Sequence, residues 1–350
     1  MQIDFTKKLL GWNSIDNKRS MPWKGESDPY RIWLSEIILQ QTRVEQGLAY
    51  YNKFISIFPT VRDLANASEK EIFKCWEGLG YYSRCRNLIT AAKKIAFGYD
   101  GLFPSSYSEI LALPGVGTYT AAAISSFAFG LPYAVVDGNV ERLLARYFGI
   151  STPVGSVAGK KLYGSIASKL LDNNKPGVFN QAVMDFGATI CKPQNPLCTI
   201  CVQAKNCQAF QHGWTNQLPL KTPAPIRKKR WLYYFIVSAG KNKIWIRERT
   251  GKDVWRNLYE FVLWEPGKII PQDRIQNSVF FKTNFGKKEF RIQHISPVYT
   301  QLLTHQSITG LFIHLNAPLH KLSGYKSVPL KKLREFPFPK LLTEYIQIFT

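Results

Sequence analysis

Residues 113–139 read LPGVGTYTAAAISSFAFGLPYAVVDGN. The first five letters predict a tight turn before an alanine-rich helix that begins at Thr118, because Gly115 and Gly117 allow positive φ angles and the close approach of another molecule. The turn, with Val116 between its glycines, leaves unpaired amides at the start of the helix. Such a helix start is an anion site, and on a strongly basic chain we expect the anion to be a phosphate. An ordinary corner between two helices is the alternative.

Asp137 is the second feature of this stretch. It stands alone at the end of the apolar run 131–136, just before a helix predicted over 139–148. A single carboxylate in this position is a candidate functional group. The alternative is an ordinary helix N-cap, for which aspartate is well suited.

The composition points to a polyanionic partner. The 350 residues contain 46 Lys and Arg against 24 Asp and Glu, a net charge of +22, and such an excess favours nucleic acid. A basic protein of the membrane surface is the alternative, but no apolar run of about 18 residues could span a bilayer. The N-terminal residues lack the apolar core of a signal peptide. We therefore expect a soluble, cytoplasmic protein that is not secreted.

The chain divides into three parts by its patterning. Residues 1–214 predict an all-α region, residues 215–229 an extended linker rich in proline and cations, and residues 230–350 a smaller α+β domain. In the last part, the short aromatic and β-branched segments WLYYFIVSA, KIWIRER, LYEFVLWE, SVFFKTNF and GLFIHL predict strands. A final helix is predicted over 339–349.

Glu36 is the only acid in the helix predicted after Pro29, and most of its neighbours are apolar. Partial burial there would raise the pKa of the carboxyl and suit it to donate a proton near neutral pH. An exposed position on a narrow polar stripe with Ser35 and Gln40 fits the pattern equally well. Glu36 and Asp137 form a candidate pair for cleaving a glycosidic bond, which needs an acid for the leaving group and an anion beside the cationic sugar.

Four of the six cysteines follow one another closely: Cys191, Cys198, Cys201 and Cys207, separated by six, two and five residues. Four thiolates at this spacing suit one [4Fe–4S] cluster held by the loop 191–207. A structural zinc site is the alternative, although zinc sites usually present two close pairs of ligands and only one pair is close here. Without a secretory signal, a disulfide framework is not expected.

Six motifs together resemble the endonuclease III superfamily of helix-hairpin-helix DNA glycosylases, and within it the MutY-type adenine DNA glycosylases. They occur in the family's order over nearly the whole chain: MPWKGESDPYRIWLSEIILQQTRV, WEGLGYYSRCRNL, LPGVGTYTA, VVDGNVERLLAR, FNQAVMDFGATIC and the four-cysteine spacing. The resemblance implies removal of adenine opposite 8-oxoguanine, or less stringently guanine, in double-stranded DNA. The adenine nucleotide is first flipped out of the duplex.

The resemblance also implies roles for single residues. Glu36 would protonate adenine N7, and Asp137 would stabilise the oxocarbenium character of the sugar. Tyr119 would hydrogen-bond Glu36, and Asn139 would bridge Asp137 and the attacking water. The implied adenine-pocket residues are Arg19, Trp23 and Gln181, the implied wedge residues are Gln41 and Tyr81, and the implied phosphate contacts are Gly115, Val116 and Gly117.

One position predicts the reaction type. Bifunctional relatives carry a lysine two residues after the second hairpin glycine, where it attacks the sugar and allows strand cleavage. Tyr119 occupies that position and cannot form a Schiff base. The resemblance therefore implies a monofunctional glycosylase, which leaves an abasic site and has no lyase activity.

Residues 230–350 resemble the Nudix-like domain of the same family, which inspects the base opposite adenine. The motif for diphosphate hydrolysis is missing from the sequence. The family's Phe-Ser-His recognition loop corresponds to Leu303, Thr304 and His305, where leucine reduces the stacking area and threonine keeps the hydroxyl. An ordinary turn at the end of a strand is the alternative.

The expected protein is thus multi-domain and monomeric: an all-α helix-hairpin-helix core with one iron–sulfur cluster, followed by an α+β Nudix-like domain. Two other functions stay open. A non-catalytic DNA-binding or redox-sensing protein is disfavoured because it has no use for two desolvated acids. A pyrimidine-lesion glycosylase-lyase is disfavoured by Tyr119 and by the appended domain.

Overall fold

The fold is described here from a computed structural model, which covers residues 2–223, 226–240, 242–286, 290–316 and 321–349. Contacts divide the chain into two compact units. Unit 1 contains residues 1–66 and 86–223, and unit 2 contains residues 67–85 and 224–350. The segment 67–85 therefore groups with the C-terminal half, whereas the predicted ranges placed it in the helical core. In the described part of the chain, no helix has the length and apolarity that a membrane crossing requires.

The N-terminal two thirds of the chain is helical. Its helices are α1 (Gln2–Ile15), α2 (Pro29–Leu39), α3 (Val44–Ile57), α4 (Val61–Asn66), α5 (Glu69–Trp76), α6 (Tyr82–Gly98), α7 (Tyr107–Leu111), α8 (Thr118–Phe129), α9 (Gly138–Phe148), α10 (Val157–Leu170), α11 (Pro176–Thr189) and α12 (Gln208–Gln211). The predicted all-α region is confirmed.

Local sequence explains where several helices begin. The Asp28 carboxylate accepts a hydrogen bond from the Tyr30 amide at 2.8 Å, and Pro29 occupies the first position of α2. Ser68 and Glu71 form a capping box at the start of α5. Helix α2 is apolar over most of its surface and packs against α3 and α8. It is therefore a central helix of unit 1, and its few polar side chains lie in a desolvated setting.

The described residues of unit 2 form two sheets. The strands are β1 (Lys228–Ile236), β2 (Lys243–Glu248), β3 (Tyr259–Glu260), β4 (Val262–Trp264), β5 (Ile292–Ile295), β6 (Tyr299–Leu302), β7 (Gln306–Leu315) and β8 (Lys326–Pro329). One sheet has the order β4-β1-β7-β5, with β6 also paired to β7, and the other has the order β3-β2-β8. Strands β1 and β7 are parallel, and their register pairs Lys228 with Gln306.

Three α-helices accompany these strands in the described C-terminal residues: α13 (Gln272–Ile275), α14 (Val279–Phe285) and α15 (Lys340–Phe349). The predicted C-terminal helix is confirmed, but the predicted strand SVFFKTNF is wrong because this segment forms α14. Ser278 caps the helix by accepting from the Phe281 amide at 3.1 Å. Phe281 and Phe285, one helical turn apart, are both buried against Phe235. The aromatic content suggested a strand, whereas the spacing of the buried rings and the serine cap are those of a helix.

Candidate active site and DNA interface

Unit 1 contains a cavity of about 870 Å³. Helices α2, α8 and α11 contribute to its wall, together with the start of α9 and the chain before α2. Eight of the predicted site residues line it: Arg19, Trp23, Glu36, Gln41, Tyr119, Asp137, Asn139 and Gln181. The fold thus brings together, from distant segments of the chain, most of the residues that were predicted for catalysis and for the adenine pocket.

Glu36 is buried in the wall of this cavity, with 9% of its surface exposed. Burial raises the pKa of its carboxyl to about 7, the negative charge of Asp137 acts in the same direction, and a hydrogen bond with Tyr119 opposes them. The expectation of a desolvated carboxyl is confirmed, and the exposed polar stripe is wrong. The apolar surface of α2 is the reason, since the helix is buried on the side that carries Glu36.

Asp137 is both an N-cap and a cavity residue. Its Oδ1 accepts from the amides of Asn139 and Val140 at 2.9 and 2.8 Å. Its Oδ2 accepts from Asn139 Nδ2 at 2.6 Å. These donors, at the positive end of the α9 dipole, hold the carboxylate in one orientation. The capping role and a functional role are therefore compatible, because capping fixes the carboxylate beside the cavity.

Asn139 connects Asp137 to a buried arginine. While Asn139 Nδ2 donates to Asp137, its Oδ1 accepts from Arg142 Nη2 at 2.9 Å. Arg142 also donates from Nε to the Cys191 carbonyl oxygen at 2.8 Å and from Nη2 to the Gly187 carbonyl oxygen at 2.6 Å. Asn139 is consequently held from both sides, and the chain of bonds reaches the first cysteine of the 191–207 loop.

Tyr119 lies in the second position of α8, next to Glu36. Burial raises the pKa of its phenol well above the usual value, and the charge of Glu36 adds to the effect, so the phenol stays neutral. Its hydroxyl also points at Met184, with 3.7 Å between Oη and Sδ. The proximity of the Tyr119 hydroxyl lowers the pKa of the Glu36 carboxyl, which burial raises.

Asp185 is a site residue that sequence reasoning missed. It is fully buried in α11 and pairs with Arg19 Nη1 at 2.8 Å and with Lys24 Nζ at 3.0 Å. Asn17 Nδ2 and Gln181 Nε2 donate to the same carboxylate at 2.9 and 3.0 Å. Asp185 thus fixes three side chains of the cavity wall. As a lone acid in the apolar segment FNQAVMDFGAT, it could have been found by the argument that identified Glu36.

The turn before α8 is built around one required glycine. Gly115 has a φ of +78°, and a Cβ there would lie 2.6 Å from the Cβ of Asn87. Gly117 has an extended φ of −96° as the N-cap of α8, so the predicted positive φ is wrong, although its surroundings are open. Val116 is buried, and its amide donates to the Leu113 carbonyl oxygen at 3.1 Å. The open side of Gly117 and the first-turn amides of α8 remain the candidate anion site.

The four cysteines line a second cavity in unit 1. Burial and the neighbouring sulfurs raise the pKa of the Cys201 thiol to about 12. The pKa values of the Cys198 and Cys207 thiols are raised for the same reasons. Arg146 donates to Cys191 Sγ at 3.5 Å. Among the described residues, no group of three or more His, Cys, Asp or Glu is arranged to hold a metal ion. Four crowded thiols nevertheless form a set of soft donors whose ionisation requires compensating positive charge.

The remaining predicted residues lie in unit 2. Tyr81 is 44% exposed and has a φ of +47°. Its hydroxyl lies 2.9 Å from Thr304 Oγ1. Thr304 and His305 are exposed in the turn between β6 and β7, and Leu303 is half-buried. Unit 2 thus brings one of the two predicted wedge residues next to the predicted recognition loop.

Comparisons with known proteins agree with this site. Residues 34–162 match the family model described as HhH-GPD superfamily base excision DNA repair protein. The chain is 32% identical to the adenine DNA glycosylase of Buchnera aphidicola subsp. Schizaphis graminum, over 99% of this chain and 98% of that protein. It is 42% identical to the adenine DNA glycosylase of Homo sapiens, over 61% of this chain and 41% of that protein. Among solved structures, a thermostable thymine-DNA glycosylase is similar at 33% identity and a TM-score of 0.56, over 60% of this chain and 96% of that one.

Proposed function

Because the chain belongs to the adenine DNA glycosylase family of base excision repair, we propose that it hydrolyses the N-glycosidic bond of adenine opposite 8-oxoguanine or guanine in duplex DNA. The observation that carries the proposal is the cavity that holds Glu36 and Asp137 together. It has room for a base flipped out of the duplex. One of its carboxyls is desolvated and the other is held by amide donors.

Glu36 supplies the proton in this mechanism. With a pKa of about 7, it is substantially protonated at neutral pH and can donate to a ring nitrogen of adenine, which we assign as N7. Protonation converts the base from a poor leaving group into a good one. The neutral Tyr119 phenol orients the carboxyl through the hydrogen bond that it makes with Glu36.

Asp137 stabilises the charge that develops when the base departs. The sugar acquires oxocarbenium character, and an anion fixed beside it lowers the energy of the transition state. Three donors hold the carboxylate in place, so little reorganisation is needed during the reaction. Asn139 is positioned to guide the attacking water towards the sugar, because it is itself held between Asp137 and Arg142.

We infer a monofunctional reaction from the residue next to Glu36. Tyr119 cannot form a Schiff base, so no covalent amine intermediate leads to strand cleavage. A lysine does line the cavity, but the Lys24 ammonium is engaged by Asp185 Oδ2 at 3.0 Å and by the Arg19 carbonyl oxygen at 2.8 Å. An ammonium held by a buried carboxylate is a poor nucleophile.

DNA would be held by charge and by the turn before α8. The net charge of +22 supplies attraction that does not depend on sequence. The open surroundings of Gly117 and the first-turn amides of α8 provide a site for one phosphate.

The four cysteines would hold one [4Fe–4S] cluster. They line one cavity, and four cysteine sulfurs are the donor set that such a cluster requires. When bound, the cluster supplies cross-links that order the loop 191–207. Arg146 reinforces the loop by donating to the carbonyl oxygens of Lys192 and Pro193 at 2.7 and 3.0 Å. Iron and zinc analysis of the purified protein, with its visible absorption spectrum, separates the cluster from a zinc site.

The C-terminal α+β region would act as a Nudix-like reader of the base opposite adenine. Support comes from the turn that carries Thr304 and His305, whose side chains are exposed and available to a base edge. The contact between Tyr81 and Thr304 places a planar ring beside this turn, as stacking against an opened base pair requires.

A single-turnover assay tests the proposed reaction. Duplex DNA with one adenine opposite 8-oxoguanine is incubated with the holoprotein and analysed with and without hot alkali. Strand breaks only after alkali support base excision without lyase activity, and breaks before alkali contradict the monofunctional assignment. The Glu36→Gln variant is expected to bind DNA but release no adenine. Tight binding by the wild type without breaks under either condition would favour the non-catalytic alternative.

A further inference from the structure

The turn at residues 303–306 joins β6 to β7 and presents two exposed polar side chains, those of Thr304 and His305. It is closed by one backbone bond, from the Leu303 amide to the Gln306 carbonyl oxygen at 2.8 Å. If this turn reads the base opposite adenine, its direction must be well defined. Guanine and 8-oxoguanine differ at the C8–N7 edge by one oxygen and one proton, and hydrogen bonds to such an edge weaken steeply with small displacements.

The guanidinium of Arg230, in β1, is fixed by hydrogen bonds from all of its N–H groups. It has five N–H donors, and all five are used. Two bonds at 2.7 and 2.8 Å go to the Glu265 carboxylate, and two at 3.0 and 3.2 Å go to the Asp253 carboxylate. The fifth goes from Nη1 to the Gln306 side-chain oxygen at 3.1 Å. Two carboxylates therefore fix the guanidinium, and its remaining donor holds the last residue of the turn.

Two further donors from the same end of β1 hold the turn backbone. Arg227 Nε donates to the Leu303 carbonyl oxygen at 3.0 Å, and the Lys228 amide donates to the His305 carbonyl oxygen at 2.9 Å. The segment RKKR, which the sequence presented as a charged tether, thus supplies contacts at both ends of the turn.

We propose that Arg230 and Gln306 are positioning residues that fix the 303–306 turn, so that Thr304 and His305 distinguish 8-oxoguanine from guanine. The inference rests on the proposed function of the turn. The acceptor on Gln306 matters because it is the only side-chain link from the anchored guanidinium to the turn among the contacts of the described residues. The exposed residues of the turn, Thr304 and His305, would contact the opposite base directly.

Replacing Arg230 itself would leave two partly buried carboxylates without their partner and could unfold unit 2. Gln306→Met is therefore the informative variant, since it removes the acceptor, keeps a similar length and leaves the four carboxylate bonds intact. Gln306→Glu is the rescue variant because it retains an acceptor for the guanidinium. Arg247→Lys is the matched control, because Arg247 binds Glu260 in the same unit and makes no described contact with the turn.

The readout is the ratio of single-turnover rates on A:8-oxoguanine and A:guanine duplexes, with the thermal unfolding midpoint of each variant as a check on folding. We expect Gln306→Met to lower this ratio about tenfold at an unchanged midpoint, the size expected for losing one hydrogen bond to a charged donor. Gln306→Glu and Arg247→Lys should retain the wild-type ratio. A purely structural role would change the midpoint and both rates together, not their ratio.

A variant with Thr304→Ala and His305→Ala separates this inference from the function on which it rests. A lowered ratio in both this variant and Gln306→Met supports the inference. A lowered ratio in the double variant alone overturns the positioning role and leaves the reading role of the turn intact. An unchanged ratio in both overturns both assignments. A lowered ratio in Gln306→Met alone shows that Gln306 acts by another route, and it also overturns the inference.

Discussion

Replacing Glu36 with glutamine is expected to stabilise the protein at alkaline pH while it abolishes adenine release. The carboxyl has a pKa raised by burial from 4.5 to about 7, so it is neutral in the folded protein over a range in which the unfolded chain is ionised. Between these two values the folded state binds more protons than the unfolded state. The free energy of unfolding therefore falls as the pH rises from about 4.5 to 7, and this contribution is constant above that range.

The size of the effect follows from the pKa change. A tenfold change in proton affinity corresponds to about 1.4 kcal/mol, so a rise from 4.5 to about 7 corresponds to about 3 kcal/mol in total. About 2.5 kcal/mol of this falls between pH 5 and pH 8. Glutamine has nearly the shape of glutamate and stays neutral at every pH. The free energy of unfolding of the variant therefore does not contain this pH-dependent decrease.

Urea-induced unfolding of wild type and Glu36→Gln at pH 5 and pH 8 measures this difference directly. The stability of the variant relative to wild type should increase by about 2 to 3 kcal/mol between the two pH values. Glu45→Gln, at an exposed glutamate on α3, is the matched control and should show no such increase. A relative stability of Glu36→Gln that stays constant would mean that Glu36 is solvated in the folded protein, and the proposed proton donor would lose its physical basis.

Three further predictions concern other parts of unit 1. Tyr119→Phe removes the hydrogen bond that lowers the pKa of Glu36, so the alkaline limb of the single-turnover rate profile should move to higher pH. Asp185→Asn leaves two cavity cations without their buried anion and should lower the free energy of unfolding in urea by about 3 kcal/mol. Gly115→Ala should destabilise the protein by more than about 1 kcal/mol, because its φ is +78°. Gly117→Ala, at an extended φ of −96°, is its control for stability.

The sequence predicted those features that local chemistry determines. A helix was predicted after Pro29, and Glu36 was identified because it is the only acid in that helix and most of its neighbours are apolar. Features that depend on tertiary neighbours were missed. The segment SVFFKTNF could pack its rings as a strand or as a helix, and only the partner Phe235 and the Ser278 cap decide between them. Nothing local indicates that residues 67–85 group with unit 2.

The same limit applies to the candidate site. Gly115 and Gly117 are equivalent in the sequence motif, yet only Gly115 requires glycine, because its φ is +78° and Asn87 leaves no room for a Cβ. The roles of Arg227 and Arg230 were also invisible, since a cationic run after prolines is typical of a tether. The partners that connect them to the turn, Leu303 and Gln306, are more than 70 residues away in the sequence.

The two carboxylates of the cavity differ in their burial and in the donors that reach them. Glu36 lies in the middle of α2, where the backbone amides are already paired within the helix and none is available to the carboxylate. Asp137 lies at the N-terminus of α9, where the unpaired amides of Asn139 and Val140 bind its carboxylate. Burial raises the pKa of the Glu36 carboxyl to about 7, whereas the helix start supplies Asp137 with two amide donors. One cavity thus holds a desolvated acid and a carboxylate fixed by backbone amides, the two groups that base release by protonation and sugar stabilisation require.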